Sequence, residues 1–173
     1  NPQHSLLFFN GLLDYKPNLD ALRIILEQIN PLLLQSSLQY NILVAGKRLP
    51  AELDELKEWK NQHIHYAGFV DDIELYFKSA DLFLNPVQSG GGVKTKMIES
   101  IAFGTTVIST KSGAVGIEEN VCDGKLVTVA DNDWGNFTKA IVDNSNTSTE
   151  TPAAYYGFYY WENIIKKIIS SLA

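Results

Sequence analysis

The feature that most constrains the fold is the regular alternation of short apolar runs with helical patterns. It is clearest in the middle of the chain, where the apolar run 82–85 leads into the glycines at 90–92. A helical pattern follows over 94–103, and a second apolar run covers 106–109. Apolar runs of this length joined by helices predict a parallel sheet that is covered by helices on both faces.

The same alternation extends along the chain and predicts an α/β fold with three layers and about six parallel strands. The predicted strands are 5–10, 40–45, 64–67, 82–85, 106–109 and 126–129. The predicted helices are 17–30, 50–60, 72–79, 94–103, 133–143 and 161–172, the third of them capped by Asp71 or Asp72. Pro31 is expected to end or kink the first helix, because proline lacks the backbone N–H that a helix interior needs.

The 173 residues suit one main domain, which we place at 1–143. A polar segment, 144–155, is predicted to be an exposed linker, and a helical segment at 156–173 ends the chain. This last segment opens with an aromatic cluster, which predicts an anchor for the terminal helix; stacking on sugars is the alternative. The chain begins with Asn1 rather than methionine, so we expect it to be a piece of a longer protein.

Composition excludes several classes of protein. The net charge of −6 argues against a broad nucleic-acid surface, which would need a basic face. The single Cys122 cannot form an intrachain disulfide, which fits a reducing compartment. No apolar run approaches the roughly 20 residues that span a bilayer, and no signal peptide is visible.

The glycine loop is the best candidate for a ligand site. Gly91 and Gly92 let the backbone approach an anion closely, and the start of the next helix, from Val93, supplies free N–H groups and the positive end of the helix dipole. A flexible connection is the alternative. The residues that follow exclude a Walker P-loop, and the chain lacks the glycine spacing of dinucleotide-binding dehydrogenases.

Charged side chains on the predicted helix 94–103 extend this site. Lys94 and Lys96 lie in its first turn, where a positive charge opposes the helix dipole, so their placement indicates a nearby anion. We favour Lys94 as the lysine that reaches a phosphate. Glu99 could accept two hydroxyl hydrogen bonds from a ribose, although a surface ion pair would also explain it. The three histidines form no metal-ligand set with the lone cysteine, and no catalytic triad can be argued.

Together these segments resemble the nucleotide-binding, carboxyl-terminal half of the group 1 glycosyltransferases of GT-B architecture. The resemblance covers nearly the whole chain, and the order and spacing of its motifs are together more specific than any single motif. Its motifs lie at 8–18, 65–72, 80–86, 92–99 and 160–162. It implies a Rossmann-like domain at 1–143, with a terminal helix that packs toward an amino-terminal domain outside this chain.

The resemblance also implies a function, which is retaining transfer of a sugar from a nucleotide-diphosphate sugar to a glycan or lipid-linked acceptor in surface polysaccharide synthesis. Its implied donor-binding residues are Gly11, Phe69, Val70, Gly91, Gly92, Val93, Lys94 and Glu99. No metal or other cofactor is expected. The implied partners are the nucleotide-sugar donor and the missing acceptor domain, and the implied location is the cytoplasm, with peripheral contact of the whole enzyme at the inner membrane face. The fragment alone is expected to be inactive.

Two departures from the family pattern leave alternatives open. Gly91 stands where many members have a glutamate that contacts the donor sugar, and Leu12 and Pro17 stand where many have the phosphate-binding Arg and Lys. One alternative is a sugar-nucleotide epimerase of the same architecture. The other is a non-catalytic interaction module in which the glycine loop is purely structural.

Overall fold

A computed structural model describes residues 4–90, 95–147, 149–160, 162–163, 165 and 169. The strands are β1 Ser5–Asn10, β2 Tyr40–Ala45, β3 Ile64–Gly68, β4 Leu82–Asn85, β5 Thr106–Thr110 and β6 Leu126–Val129. The α-helices are α1 Lys16–Ile24, α2 Asn30–Leu33, α3 Ile73–Ser79, α4 Thr95–Ala102, α5 Lys111–Ala114, α6 Trp134–Asn144 and α7 Ala153–Tyr159.

The six strands form one parallel sheet in the order β3-β2-β1-β4-β5-β6. This confirms the predicted fold class and all six predicted strands. The chain builds the sheet outward from β1 to β3, then crosses over and builds outward in the other direction from β4 to β6. The strand order therefore reverses between β1 and β4, and ligands of open parallel sheets bind near such a reversal, beyond the carboxyl ends of the strands.

Helices cover both faces of the sheet and give it three layers. Side chains alternate along β1, so that Leu7 and Phe9 join one core cluster whereas Phe8 joins the other. The first cluster packs against α1, α2 and α6, and the second packs against α3, α4 and α7. Each cluster is built almost wholly from apolar side chains, and this burial is the main force that holds the layers together.

The first helix continues past Pro31 instead of ending there. A π-helical turn, Ile25–Ile29, joins α1 to α2, and the Asn30 N–H bonds to the Ile25 carbonyl five residues earlier. A proline in a regular α-helix would clash with the carbonyl four residues back. The wider π turn lies immediately before Pro31, so the helix passes the proline through a π turn.

The continuous helix predicted at 50–60 is wrong. Residues Ala51–Gln62 form 3₁₀ turns instead, interrupted by three residues with positive φ, Asp54, Glu55 and Leu56. Leu53 and Leu56 are nevertheless buried. The backbone thus departs from a helix while both leucines stay packed against the sheet, since tertiary packing overrides helix propensity in short segments.

Aromatic side chains near the end of the chain anchor α7 to the domain. Tyr155 is buried and donates a hydrogen bond from Oη to the Ile98 carbonyl over 2.8 Å. Its helix α7 begins inside the predicted linker 144–155, because the buried tyrosine draws this stretch onto α4. Of the terminal helix predicted at 161–172, the structure describes residues 162, 163, 165 and 169, and these four are helical.

None of the helices in the described part of the chain is long and apolar enough to cross a lipid bilayer.

Candidate functional site

A cleft of about 430 Å³ opens at the carboxyl ends of β1, β2 and β3. Three short loops form its walls, one after each of these strands. The lining residues are Asn10, Gly11, Leu12, Ala45, Gly46, Lys47, Phe69, Val70, Asp71 and Ile73. The loops meet there because parallel strands place all their carboxyl ends along one edge of the sheet.

Two glycines let the first two loops approach each other very closely. A Cβ atom on Gly46 would lie 1.9 Å from the Gly11 carbonyl oxygen, and Gly46 has φ of +149°. The Gly11 N–H bonds to the Ala45 carbonyl over 3.2 Å, and the Gly46 N–H bonds to the Gly68 carbonyl over 2.7 Å. Glycine at 46 is therefore a steric requirement for the shape of the cleft.

The third loop contributes an aromatic surface. The Phe69 side chain is 57% exposed, and the Lys47 ammonium nitrogen lies 3.7 Å from the centre of its ring. Such a pair combines a flat apolar surface with a positive charge, which suits a ligand that has both a planar ring and an anionic group.

Tyr66, on β3, holds the backbone of Gly46 at the cleft. It donates a hydrogen bond from Oη to the Gly46 carbonyl over 2.8 Å. Burial, with a smaller effect from the Glu55 carboxylate, raises the pKa of Tyr66. The phenol therefore stays protonated and keeps donating this bond at neutral pH.

Asn10 presents a polar group that the described structure leaves unsatisfied. Its side-chain oxygen, Oδ1, is buried and has no hydrogen-bond partner within the described residues, although Asn10 lines the cleft. Buried polar atoms almost always have a partner, so an orphaned one beside a cleft marks a place where a ligand or water would complete the bonding.

A lysine from α4 reaches both ends of the first loop, where β1 ends and α1 begins. Lys96 Nζ donates hydrogen bonds to the Asn10 carbonyl over 3.0 Å and to Asn18 Oδ1 over 3.1 Å. The Asn18 amide in turn donates to the Leu12 carbonyl over 3.0 Å. Sequence reasoning favoured Lys94 as the functional lysine and did not find this bridge, because it depends on where the first loop lies relative to α4.

A buried polar cluster supports the start of the glycine loop. Asn85 is fully buried at the end of β4, and its amide nitrogen donates to Ser109 Oγ over 2.9 Å and contacts the sulfur of Met97 at 3.0 Å. The Thr110 hydroxyl donates to the Val87 carbonyl. These bonds join β5 to the end of β4 and to the residues that follow it.

The predicted donor-binding residues fall into three groups. Gly11, Phe69 and Val70 all line the cleft. Glu99 is exposed on α4 and is not among the cleft's lining residues. The remaining four lie outside the described residues: Gly91, Gly92, Val93 and Lys94.

No group of three or more His, Cys, Asp or Glu side chains is placed to hold a metal ion within the part of the chain that the structure describes.

A curated relative matches almost the whole chain. It is an uncharacterized 44.6 kDa protein in the cps region of Klebsiella pneumoniae, 28% identical over 175 residues. The match covers 96% of this chain and 44% of the relative, so this chain spans less than half of that protein.

Solved structures share the fold at low sequence identity. HepE of Anabaena in complex with UDP-glucose has a TM-score of 0.68 at 17% identity over 98% of this chain and 49% of its own. WaaG, a glycosyltransferase involved in lipopolysaccharide biosynthesis, has a TM-score of 0.67 at 16% identity over 99% of this chain and 47% of its own. A TarM variant of S. aureus, in complex with UDP among other ligands, has a TM-score of 0.71 at 14% identity over 98% of this chain and 36% of its own.

The family described as "Glycosyl transferases group 1" matches residues 4–145, which is most of the chain and includes all six strands and the cleft. This agrees with the resemblance in the sequence motifs and with the shared fold of the solved structures. The chain therefore belongs to the group 1 glycosyltransferases.

Proposed function

We propose that this chain is the donor-binding half of a glycosyltransferase. In this proposal it binds a nucleotide-diphosphate sugar, and the whole enzyme transfers the sugar, with retention of configuration, to a glycan or lipid-linked acceptor in surface polysaccharide synthesis. The acceptor site and the opposite wall of the active site belong to an amino-terminal domain outside this chain.

The observation that carries the proposal is the cleft at the ends of β1, β2 and β3. Its volume of about 430 Å³ falls within the range of sites for small molecules and cofactors. It lies beyond the carboxyl ends of the strands and borders β1, which is one of the two strands between which the strand order reverses. The exposed face of Phe69 and the backbone of Val70 offer a surface and hydrogen-bonding groups for a nucleobase.

The ribose and diphosphate would extend from this cleft toward α4. Glu99 would accept hydrogen bonds from the ribose hydroxyls, and the backbone of Gly92 to Lys94, with the Lys94 side chain, would hold the diphosphate. Electrostatic stabilisation of the departing nucleotide diphosphate lowers the barrier of the transfer step. These donors would supply it without a metal ion, so we expect a chelator to leave donor binding unchanged.

The relatives support the substrate class. HepE is known in complex with UDP-glucose, and the TarM variant in complex with UDP. The Klebsiella relative is described as a protein of the cps region, and WaaG as involved in lipopolysaccharide biosynthesis. We extend these associations to this chain and place the whole enzyme in the cytoplasm, with peripheral contact at the inner membrane face.

Titration of the chain by NMR and calorimetry with UDP, GDP and UDP-glucose tests the proposal. We expect chemical-shift changes at Gly11, Gly46, Phe69 and Val70, and no sugar transfer by the chain alone. Glu99→Gln should weaken binding about tenfold, as expected for lost hydrogen bonds to a charged group. Glu150→Gln, at an exposed position in the polar segment before α7, is the matched control and should bind like the parent chain.

Unchanged spectra at millimolar nucleotide would overturn the proposal and favour an interaction module. Conversion of a sugar nucleotide into its epimer would favour the epimerase alternative. A chelator that abolishes binding would contradict the metal-free part of the proposal.

A further inference from the structure

We propose that Lys96 is a positioning residue of the cleft, not a ligand of the donor phosphates. Its ammonium group ties the loop after β1 to α4 and so keeps that wall of the cleft in its binding shape. The proposal rests on the proposed function, because it assigns a role within the same donor site.

Two hydrogen bonds of Lys96 go to protein atoms on either side of the first loop, one at the end of β1 and one in the first turn of α1. Nζ donates to the Asn10 carbonyl over 3.0 Å and to Asn18 Oδ1 over 3.1 Å, and it lies 5.2 Å from the centre of the Phe9 ring. The two hydrogen bonds join residues that are 86 and 78 positions apart in the chain. A long, flexible side chain held by two acceptors and a ring acts as a cross-link between distant elements.

Asn18 carries this connection across the loop. Its Oδ1 accepts from Lys96, and its Nδ2 donates to the Leu12 carbonyl over 3.0 Å. Both ends of the amide are thereby used, which fixes its orientation. A Cβ atom on Gly11 would lie 2.7 Å from Asn18 Nδ2, so the loop wraps tightly around this amide.

The first loop itself supplies no cation to the Asn10 carbonyl. The stretch 10–15 contains no Lys or Arg, and Lys16 is exposed and paired with Asp20. Lys96 instead reaches over from α4 to the carbonyl that ends β1. An ammonium suits this task, since it directs its donors at separate acceptors, whereas the planar guanidinium of arginine directs them in a fork.

The two roles of a lysine predict different patterns of ligand affinity. A residue that shapes the wall of the cleft affects every ligand that uses the base subsite, whether or not it carries phosphate. A phosphate ligand affects only phosphorylated ligands. The ratio of the affinities for uridine and UDP therefore separates the two roles.

The test is to measure the dissociation constants of uridine and UDP by NMR titration for the parent chain, Lys96→Met and the control Lys139→Met. Lys139 is exposed on α6 and pairs with Asp143, away from the cleft. We expect Lys96→Met to weaken both ligands by the same factor, about tenfold, and Lys139→Met to change neither. Loss of UDP affinity with uridine unchanged would overturn the proposal and make Lys96 a phosphate ligand.

A double-mutant cycle with Asn18→Ala gives a second readout. If Lys96 and Asn18 act through one connection, the losses in uridine affinity caused by the two substitutions will not add. Strictly additive losses would contradict the connection.

Amide hydrogen exchange in the ligand-free chain distinguishes failure of this proposal from failure of the proposed function. The N–H groups of Gly11 and Leu13 bond to the carbonyls of Ala45 and Lys47. Lys96→Met should speed their exchange, whereas unchanged exchange would overturn the positioning role. A parent chain that binds neither uridine nor UDP would overturn the proposed function and leave this readout intact.

Discussion

Gly46→Ala tests whether the close approach of the first two loops defines the cleft. The new Cβ atom would lie 1.9 Å from the Gly11 carbonyl oxygen, far inside any real contact, and the residue would have to keep φ near +149°. Backbone strain of this kind costs about 1–3 kcal/mol, and forcing atoms into a packed site costs about 1–3 kcal/mol more. The expected loss in the free energy of unfolding is therefore about 2–6 kcal/mol.

A second glycine separates the steric part from the backbone part. Gly124 has φ of +80°, and a Cβ atom there would meet nothing within 4 Å. Gly124→Ala should therefore show only the strain of a left-handed residue, about 1–2 kcal/mol. The difference between the two variants measures the contact with Gly11.

Urea denaturation, followed by circular dichroism at 25 °C, is the assay. With a typical slope of about 1–3 kcal/mol/M, a steric cost of about 1–3 kcal/mol should lower the midpoint of Gly46→Ala by about 0.3–3 M below that of Gly124→Ala. Failure of Gly46→Ala to fold, while Gly124→Ala folds, is the same result in a stronger form. Equal midpoints for the two variants would refute the close approach and the shape of cleft derived from it.

Three further outcomes are expected. Tyr155→Phe removes the hydrogen bond to the Ile98 carbonyl and should lower the free energy of unfolding by about 1 kcal/mol; an unchanged urea midpoint would contradict the anchoring of α7. Phe77→Ala empties a fully buried site against Phe8 and Phe83 and should cost about 3–5 kcal/mol, measured by the same titration. Hydrogen bonds from the side chain and backbone of Asn136 hold the pKa of Asp133 below its usual range. That stabilisation is present above the pKa that Asp133 has in the unfolded chain, and it disappears as pH falls through the lower pKa of the folded chain. The difference in Tm between the parent chain and Asp133→Asn should therefore shrink below about pH 4. A difference in Tm that does not vary with pH would refute this prediction.

The sequence alone was sufficient for the fold class. Apolar runs of four to six residues predict buried parallel strands because burial on both faces demands continuous apolar side chains. Glycines after those runs, such as Gly11 and Gly46, then mark the edge of the sheet where loops meet. These signals are local, and therefore they can be read from the order of residues.

Local backbone geometry was less predictable. The leucines at 53 and 56 have helical spacing, and both are buried, yet the segment that holds them forms 3₁₀ turns with positive φ. The pattern of burial was correct because it reflects hydrophobicity. The backbone was not, since packing against the sheet decides how a short segment reaches its buried positions.

The connections that shape the cleft depended wholly on the tertiary structure. The sequence places Lys94 and Lys96 equally near the glycine loop, but only coordinates show the Lys96 ammonium at the Asn10 carbonyl, 86 positions away. The close approach of Gly46 to the Gly11 carbonyl, and the buried Asn10 side-chain oxygen that has no partner among the described residues, are likewise absent from any local pattern. Residue types and spacing set which elements form, whereas distances between atoms far apart in the chain exist only after those elements have packed.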